Sequence, residues 1–393
     1  MIAVSALLIL AGIYLGCYVA YWMVVLVNHL LSPAPTPIAG SLRTRFAILV
    51  PAHNEELLLG RLLQSAAAQD YPRELFDTIV VADNCSDRTS AIARAHGAMV
   101  LERIDDARRG KGYAIHWALE SIDLARYDAV LIVDADCTIS PGSLRCLDGS
   151  LQQTGVVQCH NGVGNPDQTW FTRLLDVSRT VANRIYSPAK RRLGLSCELT
   201  GTGMCFSTRI LRKHAWDAFT VGEDWEYYAK LLQKGESVGF EMNARILHQE
   251  SASLRQATSQ RMRWSSGRFA VAWRYGFPLL ARGVAQRNRV MLDAGLSLIL
   301  PNPSLGMNLT LLCLGAAFFA APGHRVVLAS WFLLLALAQL GIFVIGVFYT
   351  GNRLSKLLSI FIAPAFLAWK MGIDALSIVG AGRKKWVRTE RKL

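Results

Sequence analysis

The chain reads as an α/β domain on a mostly parallel sheet, inserted between transmembrane helices, and three observations carry that reading. The first is an apolar surplus. Of the 393 residues 52% are hydrophobic and 18% charged, and mean hydropathy is +0.27, which is high for a soluble protein of this length. The second is where that surplus lies. No Lys, Arg, Asp or Glu occurs from Met1 to Leu42 or from Val326 to Asn352, and each stretch suffices to cross a hydrocarbon core of roughly 30 Å. The third is an alternation of strand-like and helix-like patterns between Arg43 and Glu250, about 210 residues, the size of one large domain.

Segment 1–31 ends in Tyr18, Tyr21 and Trp22 without a small-residue cleavage site, so it reads as a retained anchor rather than a signal peptide. Residues 32–43 follow as a linker, stiffened by three prolines between Pro33 and Pro37. In the domain, 44–254, FAILVP (46–51), DTIVVAD (77–83), AMVLE (98–102) and DAVLIVDAD (128–136) are buried-strand patterns, with helical stretches at 55–68 and 111–125 between them. Such a βαβ series builds a parallel sheet covered on both faces. GVVQC (155–159), a helical stretch at 168–192, TGTGMCF (200–206) and a helix from Glu223 to Gln233 complete the domain.

Segment 255–290 interleaves Arg with Met262, Trp264, Phe269, Trp273 and Phe277, the composition of amphipathic helices in a membrane interface. Segment 291–350 supplies two further crossings, about 292–321 and 326–349. The last segment, 351–393, is apolar but carries Lys370 and Asp374 near the middle of its apolar run, each costing roughly 2.5 to 3.5 kcal/mol in lipid. It is expected to be interfacial or re-entrant, followed by a cytoplasmic tail, which gives three spans and leaves a fourth open.

Net charge is +13. Eight Arg and no acid lie between Ser251 and Leu292, and the tail from Arg383 to Lys392 holds six basic residues against one Glu. These two juxtamembrane stretches carry the whole surplus, which anionic membrane lipids and the positive-inside rule account for, so no nucleic-acid partner is expected. The eight cysteines never fall as CxxC; they read as reduced thiols serving as small hydrophobes, with no zinc site or disulfide framework.

Ligands of open α/β sheets bind beyond the carboxyl ends of the strands, and three strands end in polar signatures: PAHNEE (51–56), DNCSD (83–87) and DADC (134–137). Asp134 and Asp136 at one rim can share a divalent cation that also holds a diphosphate; an isolated Asp-x-Asp is otherwise a solvated turn pair. Lys111 opens a helix after Arg109 and Gly110, either as a phosphate-binding cation or as a solvated side chain on a glycine turn. Glu223 and Asp224 begin a helix, where they either offset its dipole or supply a general base for a sugar hydroxyl. Gln260, Arg261, Met262, Arg263 and Trp264 form a QRMRW element, which taken alone is a snorkelling interfacial helix.

In this combination and order, the sequence resembles the membrane-bound family 2 glycosyltransferases, the group of bacterial cellulose, hyaluronan and poly-N-acetylglucosamine synthases. The resemblance implies a GT-A-type fold, a UDP-sugar donor, Mg²⁺ or Mn²⁺, and inversion at the anomeric carbon. Matched residue by residue, Pro51, Asn54, Glu55 and Asp83 are expected around the nucleotide, with Lys111 beside them. Asp134 faces the nucleotide and the metal, and Asp136 the metal. Asp224 is the expected base with Glu223 beside it, although Gly222 stands where the family's T-E-D has Thr. Gln260, Arg263 and Trp264 match Q-x-x-R-W, with Arg263 near the diphosphate and Trp264 at the acceptor.

The function so implied is transfer of a sugar to a saccharide acceptor, serving extracellular polysaccharide synthesis, in a multi-pass protein of the inner (cytoplasmic) membrane whose catalytic domain is cytoplasmic. Polysaccharide export partners or a homo-oligomer fit that setting. The alternatives are transfer of one sugar to a lipid acceptor (ceramide, hopanoid or polyprenyl-linked) and, from another class, a catalytically silent scaffold or export subunit.

Overall fold

The computed structural model describes residues 1–32 and 42–380. The proline-rich linker and the basic tail expected at Arg383 to Lys392 lie outside the described residues. The first helix, α1 (Ile2–Leu31), is followed by β1 (Phe46–Ala52), α2 (Leu59–Ala67), β2 (Phe76–Asp83), α3 (Thr89–Ala95), β3 (Met99–Arg103), α4 (Lys111–Ser121) and β4 (Ala129–Ile132). Then come β5 (Cys137–Ile139), α5 (Ser143–Leu151), β6 (Val156–Val163), α6 (Trp170–Thr180), α7 (Ser187–Arg192), β7 (Met204–Ser207), α8 (Thr208–Lys213), α9 (Glu223–Gln233) and β8 (Gly239–His248).

The eight strands form one sheet in the order β3-β2-β1-β4-β7-β6-β8-β5. β1 to β4 pair in parallel, as the βαβ pattern predicts, whereas β7 runs antiparallel to both its neighbours and β5 antiparallel to β8. Side chains alternate between two cores. Ala47, Leu49, Ile79 and Val81 face α4 and α9, while Phe46, Ile48, Val50 and Val80 face α2 and α5. Burial on both faces is why these strands read as unbroken apolar runs. β5 and β8 show no such run in the sequence; β8 alternates buried and half-buried residues through Asn243 and Arg245.

Outside the sheet domain lie α1, α10 (Leu254–Val271), α11 (Phe277–Ala285), α12 (Arg289–Ile299), α13 (Pro303–Ala316), α14 (Pro322–Phe348), α15 (Arg353–Leu358) and α16 (Ala363–Ile378). α1, α14 and the stretch Arg353–Ile378 are each long and apolar enough to cross a bilayer. The crossing expected at 292–321 is instead a pair of helices bent by 60°. Pro301 cannot continue α12, Leu300 before it is extended, and the Asn302 side chain accepts the Leu305 N–H to start α13. In α16 the charges thought too costly for lipid are paired: Lys370 bonds Asp374 one turn on, and both bond Ser265 of α10.

α1 and α14 run parallel. Ala321 N–H donates to Ser5 Oγ at one end (3.0 Å), and His29 meets Tyr349 Oη at the other (2.9 Å). Between these ends Gly12 and Gly16 leave room for the Trp331 ring, whose indole N–H donates to Gly12 O at 3.1 Å. A buried ionic cluster fastens α1 to the domain: Lys190 of α7 pairs with Glu198 (2.8 Å) and with Asp293 of α12 (2.9 Å), and Tyr21 donates to Asp293. Removing one member of such a cluster leaves its partners as buried unpaired charges.

Candidate active site

The carboxyl ends of β1, β2 and β4, the start of α4 and α9, and α10 surround one cavity of about 1110 Å³. All the site residues read from the sequence line it except Asn54. Asn54 has a left-handed backbone (φ 55°), and its side-chain oxygen accepts the Ser86 N–H at 2.8 Å, so it ties the β1 loop to the β2 loop. Glu55 N–H donates to Thr89 Oγ1 in the same junction.

Asp83 closes the far wall and is held by Arg103 of β3 at 2.6 Å, both buried. Burial raises its pKa against the opposing pull of Arg103. β4 stops at Ile132, so Asp134 and Asp136 lie in the turn to β5 rather than on the strand. Lys111 reaches Asp134 at 2.5 Å, the Gly201 carbonyl at 2.5 Å and Glu223 at 3.6 Å. Burial pulls its pKa down, and the neighbouring carboxylates more than reverse this. The cation expected at a phosphate is thus engaged by carboxylates. Gly112 lets α4 come this close, since a Cβ there would overlap the Ala218 carbonyl.

Asp136 faces a residue the sequence gave no reason to single out, His248 at the end of β8, 3.0 Å away. Behind it Glu250 pairs with Arg261 at 2.6 Å and lies 3.8 Å from Arg179. Arg261 in turn lies over the Trp264 ring at 4.7 Å. Only a reading that placed β8 beside β5 would have brought His248 to the site.

Asp134, Asp136 and His248 offer hard oxygens and an imidazole suited to Mg²⁺ or Mn²⁺, with His248 Nε2 toward Asp136 and Nδ1 3.7 Å from Glu250. Among the described residues no group of three or more His, Cys, Asp or Glu is by itself placed to hold a metal ion. These residues would hold a cation only with further oxygens from donor phosphate or water.

Asp224 differs from its neighbours. Its Oδ1 accepts the Trp225 N–H at 2.8 Å, and among the described residues no cation lies within 4.0 Å of it. Burial and the charge of Glu223 push its pKa up to about 8. Glu223 is also raised, by burial opposed by Lys111. Gly222 packs against Gly267 of α10, where a Cβ would come within 3.2 Å of backbone. That contact explains glycine in place of the threonine the resemblance led one to expect. It also fixes Asp224 against the helix carrying Gln260, Arg263 and Trp264. Burial lowers the pKa of Arg263, against the opposing effect of Glu223 and Asp134.

Residues 44–267 match the glycosyltransferase-like family 2, and the chain belongs to that family. Its fold is the GT-A fold. The chain is 25% identical over 233 residues to the probable glycosyltransferase YdaM of Bacillus subtilis, covering 57% of this chain and 55% of that one. It is 25% identical over 258 residues to beta-monoglucosyldiacylglycerol synthase of Synechocystis, covering 62% and 53%. The chain thus spans about half the length of these curated relatives. Among solved structures, the mannosyltransferase PcManGT of Pyrobaculum calidifontis, in complex with GDP-Man and Mn²⁺, shares the fold at a TM-score of 0.60 and 18% identity, with 96% of this chain and 98% of that one covered.

Proposed function

We propose that this is an inverting, metal-dependent glycosyltransferase of the inner membrane, with its α/β domain in the cytoplasm, transferring a sugar from a UDP-sugar to a hydroxyl of a saccharide acceptor in extracellular polysaccharide assembly. The observation that carries the reading is Asp224. It is a half-buried carboxyl without an ion-pair partner among the described residues, its pKa pushed up to about 8, in the cavity that also holds Asp134 and Asp136. A group kept so costs stability, and perturbed groups of this kind cluster at functional sites. A silent scaffold would have no use for it.

In this reading the Asp224 carboxylate takes the proton of the acceptor hydroxyl as its oxygen bonds to the anomeric carbon. The bond from that carbon to the β-phosphate oxygen breaks on the opposite face, and UDP leaves with the electron pair. Pro51, Glu55 and Asp83 form the wall assigned to the nucleotide, and Arg263 the side assigned to the diphosphate. Asp134, Asp136 and His248, together with oxygens of the donor diphosphate, would hold a divalent cation, which when bound would supply charge neutralisation for the leaving group.

The test is purified full-length protein in nanodiscs with Mn²⁺ and a panel of UDP- and GDP-sugars, following nucleotide release and product mass. Release of UDP by the wild type and loss of metal-dependent turnover in Asp136→Ala are expected. A folded Asp136→Ala protein with undiminished turnover would reduce Asp136 to a turn residue, and release from GDP-sugars alone would overturn the donor assignment.

A further inference from the structure

The cavity does not end at the acceptor side of Asp224. It continues past the break between α12 and α13 into a groove between α13, α14 and α16, lined by Met307, Leu311, Leu340, Phe343, Phe366 and Leu367. Leu311 and Leu340 are 43% and 37% exposed, so the groove opens at the surface that faces lipid. Non-helical backbone at membrane depth is tolerated where it lines such a cavity, which is where Leu300, Pro301 and Asn302 lie. A passage for a bare polysaccharide calls for polar walls along its length, and this end is lined mainly by apolar side chains.

At the junction of site and groove stands Arg268. Its guanidinium packs over the Trp225 ring at 5.5 Å, one residue from Asp224, and donates to the carbonyls of Leu300 (2.9 Å) and Ser297 (3.4 Å). Its Nε is buried without a partner, and among the described residues no carboxylate lies within 4.0 Å. The other cations of the acceptor side are paired: Arg261 and Arg179 with Glu250, and Lys370 with Asp374. A guanidinium with a buried, unpartnered Nε and, among the described residues, no carboxylate within 4.0 Å, lining a cavity between a sugar-transfer site and an apolar groove, is complementary to an anionic group on an amphiphile.

We propose that the acceptor saccharide is presented on an anionic lipid, with its phosphate or diphosphate against Arg268 and its hydrocarbon chain in the groove between α13, α14 and α16. This rests on the function proposed above and names the carrier of the acceptor. The reaction is unchanged in its balance: the sugar hydroxyl of the lipid headgroup is the nucleophile at Asp224, and the lipid phosphate neither forms nor breaks a bond.

The test measures lipid binding apart from turnover. The full chain in nanodiscs is photolabelled with a polyprenyl diphosphate hexose carrying a diazirine in its chain, and in parallel with an uncharged glycosyl diacylglycerol bearing the same group. The anionic probe is expected to label α13 and α14 around Leu311 and Leu340. Arg268→Gln should weaken it by about tenfold to a hundredfold, the worth of a charge-assisted hydrogen bond, and affect the neutral probe little; Arg268→Lys should keep part of the affinity. Labelling scattered over the lipid-facing surface, equal effects of Arg268→Gln on both probes, or product formed only on soluble oligosaccharides would overturn the proposal. Groove labelling that depends on Arg268 in a protein that releases no UDP would support this inference while counting against the donor assignment.

Discussion

Asp224 holds its proton more tightly in the folded protein than in the unfolded chain, because burial and Glu223 both disfavour its carboxylate. Its activity as a base should therefore appear only as pH rises: kcat/KM is expected to climb about tenfold per unit and level off near pH 8. Asp224→Asn keeps the side chain's size and removes its basicity, so transfer should fall by roughly 10² to 10⁴ while UDP affinity stays nearly constant. A parallel fall in both would assign Asp224 to the donor site or the fold. The same pKa has an opposite effect on stability. With the folded pKa raised from 3.8 to about 8, this residue's contribution declines as pH rises through that window. The melting-temperature advantage of Asp224→Asn over wild type should consequently widen between pH 5 and pH 9. The sequence made Asp224, Asp134 and Asp136 legible because each belongs to a short local signature. His248, Arg103 and Arg179 had no such signature; they reach the site through strand pairing and helix packing, which short-range patterns do not encode.

The accuracy of the site depends on how closely whole elements approach. α9 and α10 meet through Gly222 and Gly267, where a Cβ on Gly267 would come within 2.9 Å of the Gly222 nitrogen. Backbone cannot yield there as a flexible side chain would. Gly267→Ala should push the helix bearing Gln260, Arg263 and Trp264 away from Asp224 and lower kcat by about 10². Gly315→Ala, at a helical position where an added Cβ has no neighbour within 4 Å, should leave it unchanged. Equal kcat for Gly267→Ala and wild type would mean that the two helices act independently. Element type was readable wherever one period dominated: α9 begins and ends where the sequence places it, and the first four strands match their apolar runs to within a few residues. Element continuity was not. The apolar stretch from Leu292 reads as one span because hydropathy averages over Pro301, whereas the chain breaks there and the break lines the cavity.

Across the whole molecule, the parallel course of α1 and α14 assigns a side to each loop. Arg192 of the domain meets His29 at the end of α1 (3.2 Å), and Asn352 after α14 meets Asp167 of the domain (3.3 Å), so both helices finish on the domain side. Ser5 and Ala321 are joined at the opposite end. The final helix could in principle return across the bilayer, since its length and apolarity suffice. Its contacts argue otherwise: α16 lies along α10, with Trp369 bonded to Thr258, Lys370 to Ser265 and Ser377 to the Met262 carbonyl. α10 borders the cavity of the domain, so the end of α16 is held there and not beside Ala321. With Lys370 and Asp374 neutralising each other in that packing, the helix bears no isolated charge in lipid. Single cysteines placed at Gly323 and Gly380 in a cysteine-free background should therefore label from opposite sides in intact cells, Gly323 from outside and Gly380 only after permeabilisation. Labelling of Gly380 from outside would make Arg353–Ile378 a full crossing and would run against the positive-inside expectation for the six basic residues between Arg383 and Lys392.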